Sequence, residues 1–140
     1  HHRREQVLMS EERRISVESD LDVVAARVEG RQLAKELGFG IVDQARIATA
    51  ISELTRNIVQ YAGQGEAIIR VVDEGHRVGI EVVCRDEGPG IQDVEKATEG
   101  GFSIPARLGV GMAGAKRLMD EFDVQSEMGV GTTVTIRKWL

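Results

Sequence analysis

The chain is predicted to be a single α+β domain: a mixed, largely antiparallel sheet covered on one face by helices. Three observations point there. Two segments carry apolar residues at helical spacing, "SDLDVVAARVEGRQLAKELGFG" (19–40) and the stretch from Val42 to Tyr61. Two β-branched runs then flank a short turn in "EAIIRVVDEGHRVGIEVVCRD" (66–86), and "DVQSEMGVGTTVTIRKWL" (123–140) reads as a closing hairpin. The resulting order is strand, helix, helix, two strands, a glycine-rich segment, helix, two strands.

Taken in turn, "RRISVES" (13–19) alternates weakly and reads as the first strand. The first helix has Ser19 or Asp20 as its N-cap and Gly38 as its stop. The second places Ile47, Ala50, Ile51, Leu54, Ile58 and Tyr61 on one stripe, with Gly63 beyond its end. In the hairpin that follows, Gly75 supplies the positive φ its turn requires and His76 sits at a solvated tip. From Glu87 to Gly111 the chain holds both of its prolines, many glycines and one short helical candidate, "QDVEKATEG", so a long mobile loop is expected. "GMAGAKRLMDEF" (111–122) reads as a third helix, and "EMGVG" as the turn of the last hairpin. The domain is expected over 13–140, after a disordered N-terminus (1–12) whose His1 and His2 look like the remains of a purification tag.

With 140 residues the chain suits one core rather than two domains. It is 41% hydrophobic and 29% charged, and holds no apolar run near the ~20 residues that span a membrane. A net charge of −5 gives a nucleic-acid partner no support. One cysteine, Cys84, lies within the apolar run "VGIEVVC"; it cannot form an internal disulfide and fits a reducing, cytoplasmic setting as a buried strand residue. No signal peptide is visible.

The chemistry gathers in four short stretches. Within "ISELTRNIVQYAG" (51–63), Glu53 and Asn57 lie one turn apart at or beside the stripe the helix should bury. Such groups are costly there unless something polar is held against them. An amide oxygen can ligate Mg²⁺, and a carboxylate can take a proton from a hydroxyl. A hydrogen-bonded or solvated pair is the plainer reading. In "RDEGPGI" (85–91), Asp86 ends a strand, with Gly88 and Gly90 in the turn behind it. Glycines let a backbone approach a flat ligand, and the carboxylate can accept from an exocyclic amine such as that of adenine. An Asp- and Gly-rich turn is the alternative. In "RLGVGMAG", Gly109, Gly111 and Gly114 fit G-x-G-x-x-G ahead of a helix, an arrangement that aims N–H groups at phosphate. They follow a loop and not a strand, which argues against a dinucleotide fold. Finally, "GVGTTV" (129–134) places Thr132 and Thr133 at the start of the last strand.

In this order the four stretches resemble the GHKL ATPase/kinase superfamily of gyrase, the Hsp90 chaperones, histidine kinases and MutL. "ELTRN" is similar to the N box, "DEGPG" to the first glycine box, "LGVGM" to the second and "GVGTTV" to the last. The resemblance implies the Bergerat fold, with ATP between the helices and under a flexible lid. It further implies that Asn57 coordinates Mg²⁺ and that Glu53 orients or deprotonates the attacking group. Asp86 would bind the adenine amine, and Gly88 and Gly90 would allow close approach to the base. Gly109 and Gly111 would shape the lid end around the phosphates, and Thr132 or Thr133 would support adenine.

A transducer domain or a phosphoacceptor histidine helix finds no place in the sequence. "VAARVEGRQLAKELGF", "DQARIATAISELTRNIVQYAG" and "AKRLMDEFDVQSEMGVGT" look closer to the stressosome switch kinases of the RsbT type than to anti-sigma-factor kinases. That family phosphorylates serine or threonine on STAS-domain scaffold proteins and, once released, binds and activates a PP2C-type phosphatase. The alternative is a binding module that sequesters a sigma factor, with kinase activity toward an anti-anti-sigma STAS protein. One departure stands out: "GGFSIPARLGVG" has Ile104, Pro105, Ala106 and Arg107 where the family has a looser Ser/Gly-rich run. Proline would stiffen the lid, and Arg107 would either reach a γ-phosphate or sit in solvent.

Overall fold

The computed structural model describes residues 12–88 and 106–140. The chain runs β1 (Glu12–Val17), α1 (Asp20–Leu37), α2 (Ile41–Asn57), β2 (Gly65–Asp73), β3 (Val78–Asp86), α3 (Ala106–Leu118), β4 (Glu121–Glu127) and β5 (Gly131–Trp139). A five-residue π-helical turn, Ile58–Ala62, extends α2. The N-terminal segment expected to be disordered lies, apart from Glu12, outside the described residues.

Local chemistry explains where the elements start and stop. Ser19 is the N-cap of α1, and the Asp22 carboxylate accepts from the backbone N–H groups of Glu18 at 2.8 Å and Ser19 at 3.2 Å. Two otherwise unmet donors are satisfied, beside a helix end that favours negative charge. Gly38 closes the same helix at φ 100°, a left-handed conformation that costs glycine nothing. The Phe39 N–H then returns to the Ala34 carbonyl and its ring is buried.

The strands order β1-β2-β3-β5-β4, and every pairing is antiparallel, so the described sheet is not mixed. β5 inserts between β3 and β4, which brings Thr132 into register with Asp86 at one end of the sheet. Strand alternation sends Ala67, Ile69, Val71, Ile80, Val82, Cys84, Val134 and Ile136 into one core with Leu33, Ile47, Ile51 and Leu54 of the helices. α1 and α2 cross closely: a Cβ on Gly30 would lie 2.1 Å from Cδ1 of Ile51.

Among the described residues, the other face of the sheet carries no helix and is covered by charge. In register across five strands stand Glu12, Arg70, Glu81, Arg137 and Glu121, alternating in sign. Glu81, 1% exposed, accepts at 2.6 Å from Nε of both Arg70 and Arg137. Its buried charge is thus paired on both sides, as burial requires.

Two boundaries differ from expectation. The sequence predicts the third helix over 111–122, whereas α3 ends at Leu118 and Glu121 already belongs to β4. The stop is tertiary: buried Lys138 reaches from β5 and donates from Nζ to the Leu118 carbonyl at 3.1 Å, a cation on the negative end of the helix. Phe122 pairs with Ile136 across the sheet, which removes it from any helix. At the other end, α3 already begins at Ala106, so Gly109 lies within the helix and not in a loop, and Gly111 is in its interior rather than at its start.

Candidate active site

Three polar side chains are buried on α2, and two of them are satisfied by the helix itself. Ser52 Oγ donates to the Ala48 carbonyl at 3.0 Å and Thr55 Oγ1 to the Ile51 carbonyl at 2.7 Å. Asn57 differs. It is 9% exposed, and its Nδ2 is the one buried side-chain polar atom among the described residues with no hydrogen-bond partner. An unmet buried group of this kind costs on the order of 1–3 kcal/mol. Across from it runs α3 at Gly111, where an added Cβ would lie 3.2 Å from both amide atoms of Asn57 and 3.2 Å from Oε2 of Glu53. Glycine at 111 therefore lets the α3 backbone close over the carboxylate and the amide together. The other carboxylate oxygen, Oε1, accepts from Arg56 Nη1 at 3.2 Å.

After Asn57 the helix widens. The Gly63 N–H bonds to the Ile58 carbonyl at 2.9 Å, the i→i+5 pattern of a π turn, a local form that recurs at functional sites. That turn carries the chain from Asn57 to the end of the sheet, where Ala62 meets Gly88: a Cβ there would stand 2.7 Å from Cβ of Ala62.

Asp86 occupies the helix-covered side of β3 at this end, half-buried. Its Oδ1 accepts from the Gly88 N–H at 2.8 Å, and Thr132 stands opposite it in the sheet register. Burial raises its pKa above the ordinary carboxylate value, and the nearby backbone of Gly88 and Thr132 partly opposes that rise. Glycines crowd it on three sides. A Cβ on Gly65 would meet the Arg85 carbonyl at 2.4 Å and Cβ of Asp86 at 3.2 Å, and one on Gly131 would meet the Asp86 carbonyl at 2.1 Å. Thr132 shares this side of the sheet, its hydroxyl 2.9 Å from Ser126 Oγ. Two open clefts flank the strand end. One of about 360 Å³ lies toward Ser16 and Gln64, and one of about 430 Å³ toward Gln125 and Gly131.

Glu53, Asn57 and Gly111 thus meet across α2 and α3, while Asp86, Gly88 and Thr132 meet at the sheet end. The π turn links the two groups. Thr133 pairs with Arg85 and Gln125 on the opposite face of the sheet. Gly90 and the "QDVEKATEG" segment lie outside the described residues, as does the Arg107 side chain. Sequence reasoning passed over Gly65, Gly131, Ser126 and Arg56. The two glycines could not be singled out because their need arises from backbone crossings between distant segments. Arg56 carried a signal, its three-residue spacing from Glu53.

The thiol of Cys84 takes no part in this chemistry. Burial, and secondarily the charge of Asp86, pushes its pKa up to about 12, so it stays protonated and unreactive at neutral pH. A chromogenic disulfide reagent should leave the native protein unlabelled and label one thiol on denaturation; rapid native labelling would contradict the burial.

The two-layer α+β domain thus carries an unmet amide beside a carboxylate where α2 meets α3, and a second carboxylate ringed by glycines at the sheet end. The chain belongs to the histidine kinase-like ATPase domain family, which matches residues 15–138. It is 50% identical over 132 residues to the serine/threonine-protein kinase RsbT of Bacillus subtilis, covering 94% of this chain and 99% of that protein. It is also 34% identical over 121 residues to an anti-sigma F factor of a Thermoanaerobacter species, covering 82% of this chain and 83% of that one. About a third of a Mycobacterium tuberculosis chain, solved as its RsbU and RsbW domains, shares the fold, with a TM-score of 0.61 at 20% identity over 92% of this chain and 32% of that one. A Pseudomonas aeruginosa SiaB–SiaC complex contains a chain with a TM-score of 0.54 at 9% identity, over 99% of this chain and 95% of that one. No helix among the described residues is long and apolar enough to cross a membrane.

Proposed function

We propose that this chain is an ATP-dependent protein serine/threonine kinase that phosphorylates STAS-domain scaffold proteins and, on release from them, binds and activates a PP2C-type phosphatase. The observation that carries the reading is the convergence of Glu53, the unmet Asn57 amide and Gly111 on one spot. Half identity to a serine/threonine-protein kinase along almost its whole length supports it.

The residues present fit Mg-ATP. Asp86 accepts from the adenine amine, Thr132 lines the same end of the sheet, and glycines 65, 88 and 131 let the backbone pack closely around it. Asn57 would hold Mg²⁺, an ion that usually takes one or two protein ligands beside substrate phosphates and there neutralises developing charge. Glu53 positions the acceptor hydroxyl and takes its proton. The hydroxyl oxygen then bonds to the γ-phosphorus as the bond to the β–γ bridging oxygen breaks and ADP departs.

Incubation with labelled ATP and candidate STAS proteins tests the reading, beside a separate sigma-factor binding assay and a PP2C-type phosphatase assay with added chain. Label on a STAS serine or threonine together with phosphatase stimulation is expected. The anti-sigma relatives make sequestration of a sigma factor the competing outcome; tight sigma binding with no phosphatase stimulation would select it.

Asn57→Ala separates metal holding from packing. Because it deletes an unmet buried amide, thermal stability should hold or rise slightly. Mg-ATP binding should weaken, while metal-free ADP binding should be less affected. Calorimetry reads both; equal losses would make Asn57 structural.

A further inference from the structure

We propose that Arg56 is a positioning residue for phosphoryl transfer: it grips one oxygen of Glu53 so that the other faces the acceptor hydroxyl. The inference rests on the proposed role of Glu53. Arg56 Nη1 lies 3.2 Å from Glu53 Oε1, one turn along the same helix. Held there, Glu53 directs Oε2 toward Gly111, at the point where the Asn57 amide also converges. A carboxylate on a flexible two-carbon stem has several rotamers, and an ion pair at one oxygen selects among them. The two side chains are 43% and 34% exposed, so solvent screens the pair and its value to folding is small. Its consequence is geometric.

The same helix supplies a control. Arg46 and Asp43 form another i,i+3 pair at 3.0 Å, with side chains 51% and 37% exposed, away from Glu53 and Asn57. If such pairs served only the helix, the two would behave alike. Arg56 differs because its partner's free oxygen borders the glycine that admits α3.

The test is single-turnover phosphorylation of a STAS-domain protein that the wild-type chain phosphorylates, with ADP binding and thermal melting measured beside it. Arg56→Ala should slow transfer by about 10- to 100-fold, the scale of a misplaced reacting group, with ADP affinity and the partner's KM within about twofold. Arg56→Lys should recover much of the rate, and Arg46→Ala should match wild type. In the double variant Glu53→Ala/Arg56→Ala, transfer should be no slower than in Glu53→Ala alone, since Arg56 acts through Glu53. A multiplicative loss in the double variant, a raised KM for the partner, or wild-type transfer in Arg56→Ala while Glu53→Ala is slow would each overturn the proposal. Wild-type transfer in Glu53→Ala would instead remove the reading of Glu53 on which it rests.

Discussion

Glu53→Ala should slow phosphoryl transfer by about 10²–10⁴ while leaving nucleotide and partner binding nearly intact, the span expected on losing a general base. The variant deletes the carboxylate that faces Gly111 and leaves Asn57 and Asp86 in place. Binding and chemistry should therefore come apart. Phosphoryl-transfer transition states are loose and need little help from a base, which puts the loss toward the lower end and makes positioning the larger part. Single-turnover phosphorylation of a STAS protein at saturating Mg-ATP, beside a binding titration of the same pair, measures both. Transfer at the wild-type rate would remove Glu53 from the mechanism. Loss of binding and transfer together would make its role structural.

Asp86→Asn should weaken ATP binding at least ~10-fold, since one acceptor facing the adenine amine becomes a possible donor at a cost on the order of 1–3 kcal/mol. Stability should move the other way. The folded-state pKa of Asp86 is raised by burial, so the folded protein holds this proton more tightly than the unfolded chain. Its contribution to stability is then fully present below the unfolded pKa and is lost as pH rises through the folded value. At neutral pH the ionised carboxylate is a burden that a neutral amide would not carry, while the amide oxygen can still accept from the Gly88 N–H. The variant should melt at the same temperature as wild type or higher at pH 7, and that difference should shrink on acidification toward the ordinary Asp range. Unchanged ATP affinity by calorimetry with the fold intact would overturn the adenine assignment.

The legibility of each element followed the range of the forces behind it. The cap at Ser19, the left-handed stop at Gly38 and the hairpin at Gly75 are set within a few residues, so the chain announces them locally. The buried stripe of α2 was equally plain, and with it the oddity of Glu53 and Asn57. The end of α3 was not, because Lys138 and the pairing of Phe122 with Ile136 act from another part of the chain. Nor was the start of α3 at Ala106, which puts Gly109 inside the helix. Glycine disfavours helix on propensity, and only the close approach of α3 to α2 explains its use at Gly111.

By itself, then, the sequence determined the element types, the helix-covered sheet and the family, together with Glu53, Asn57 and Asp86 as the residues to watch. Periodicity, caps and motif spacing are local properties and survive without coordinates. Only the tertiary structure put Thr132 on the side of Asp86 and Thr133 on the opposite face, because strand register sends neighbours to opposite faces. It also decided which glycines matter. Gly30, Gly65, Gly79, Gly88 and Gly131 stand where two backbones, or a backbone and a side chain, approach closer than a Cβ allows, Gly111 stands where the fit would be tight, and such approaches exist only once distant segments have packed.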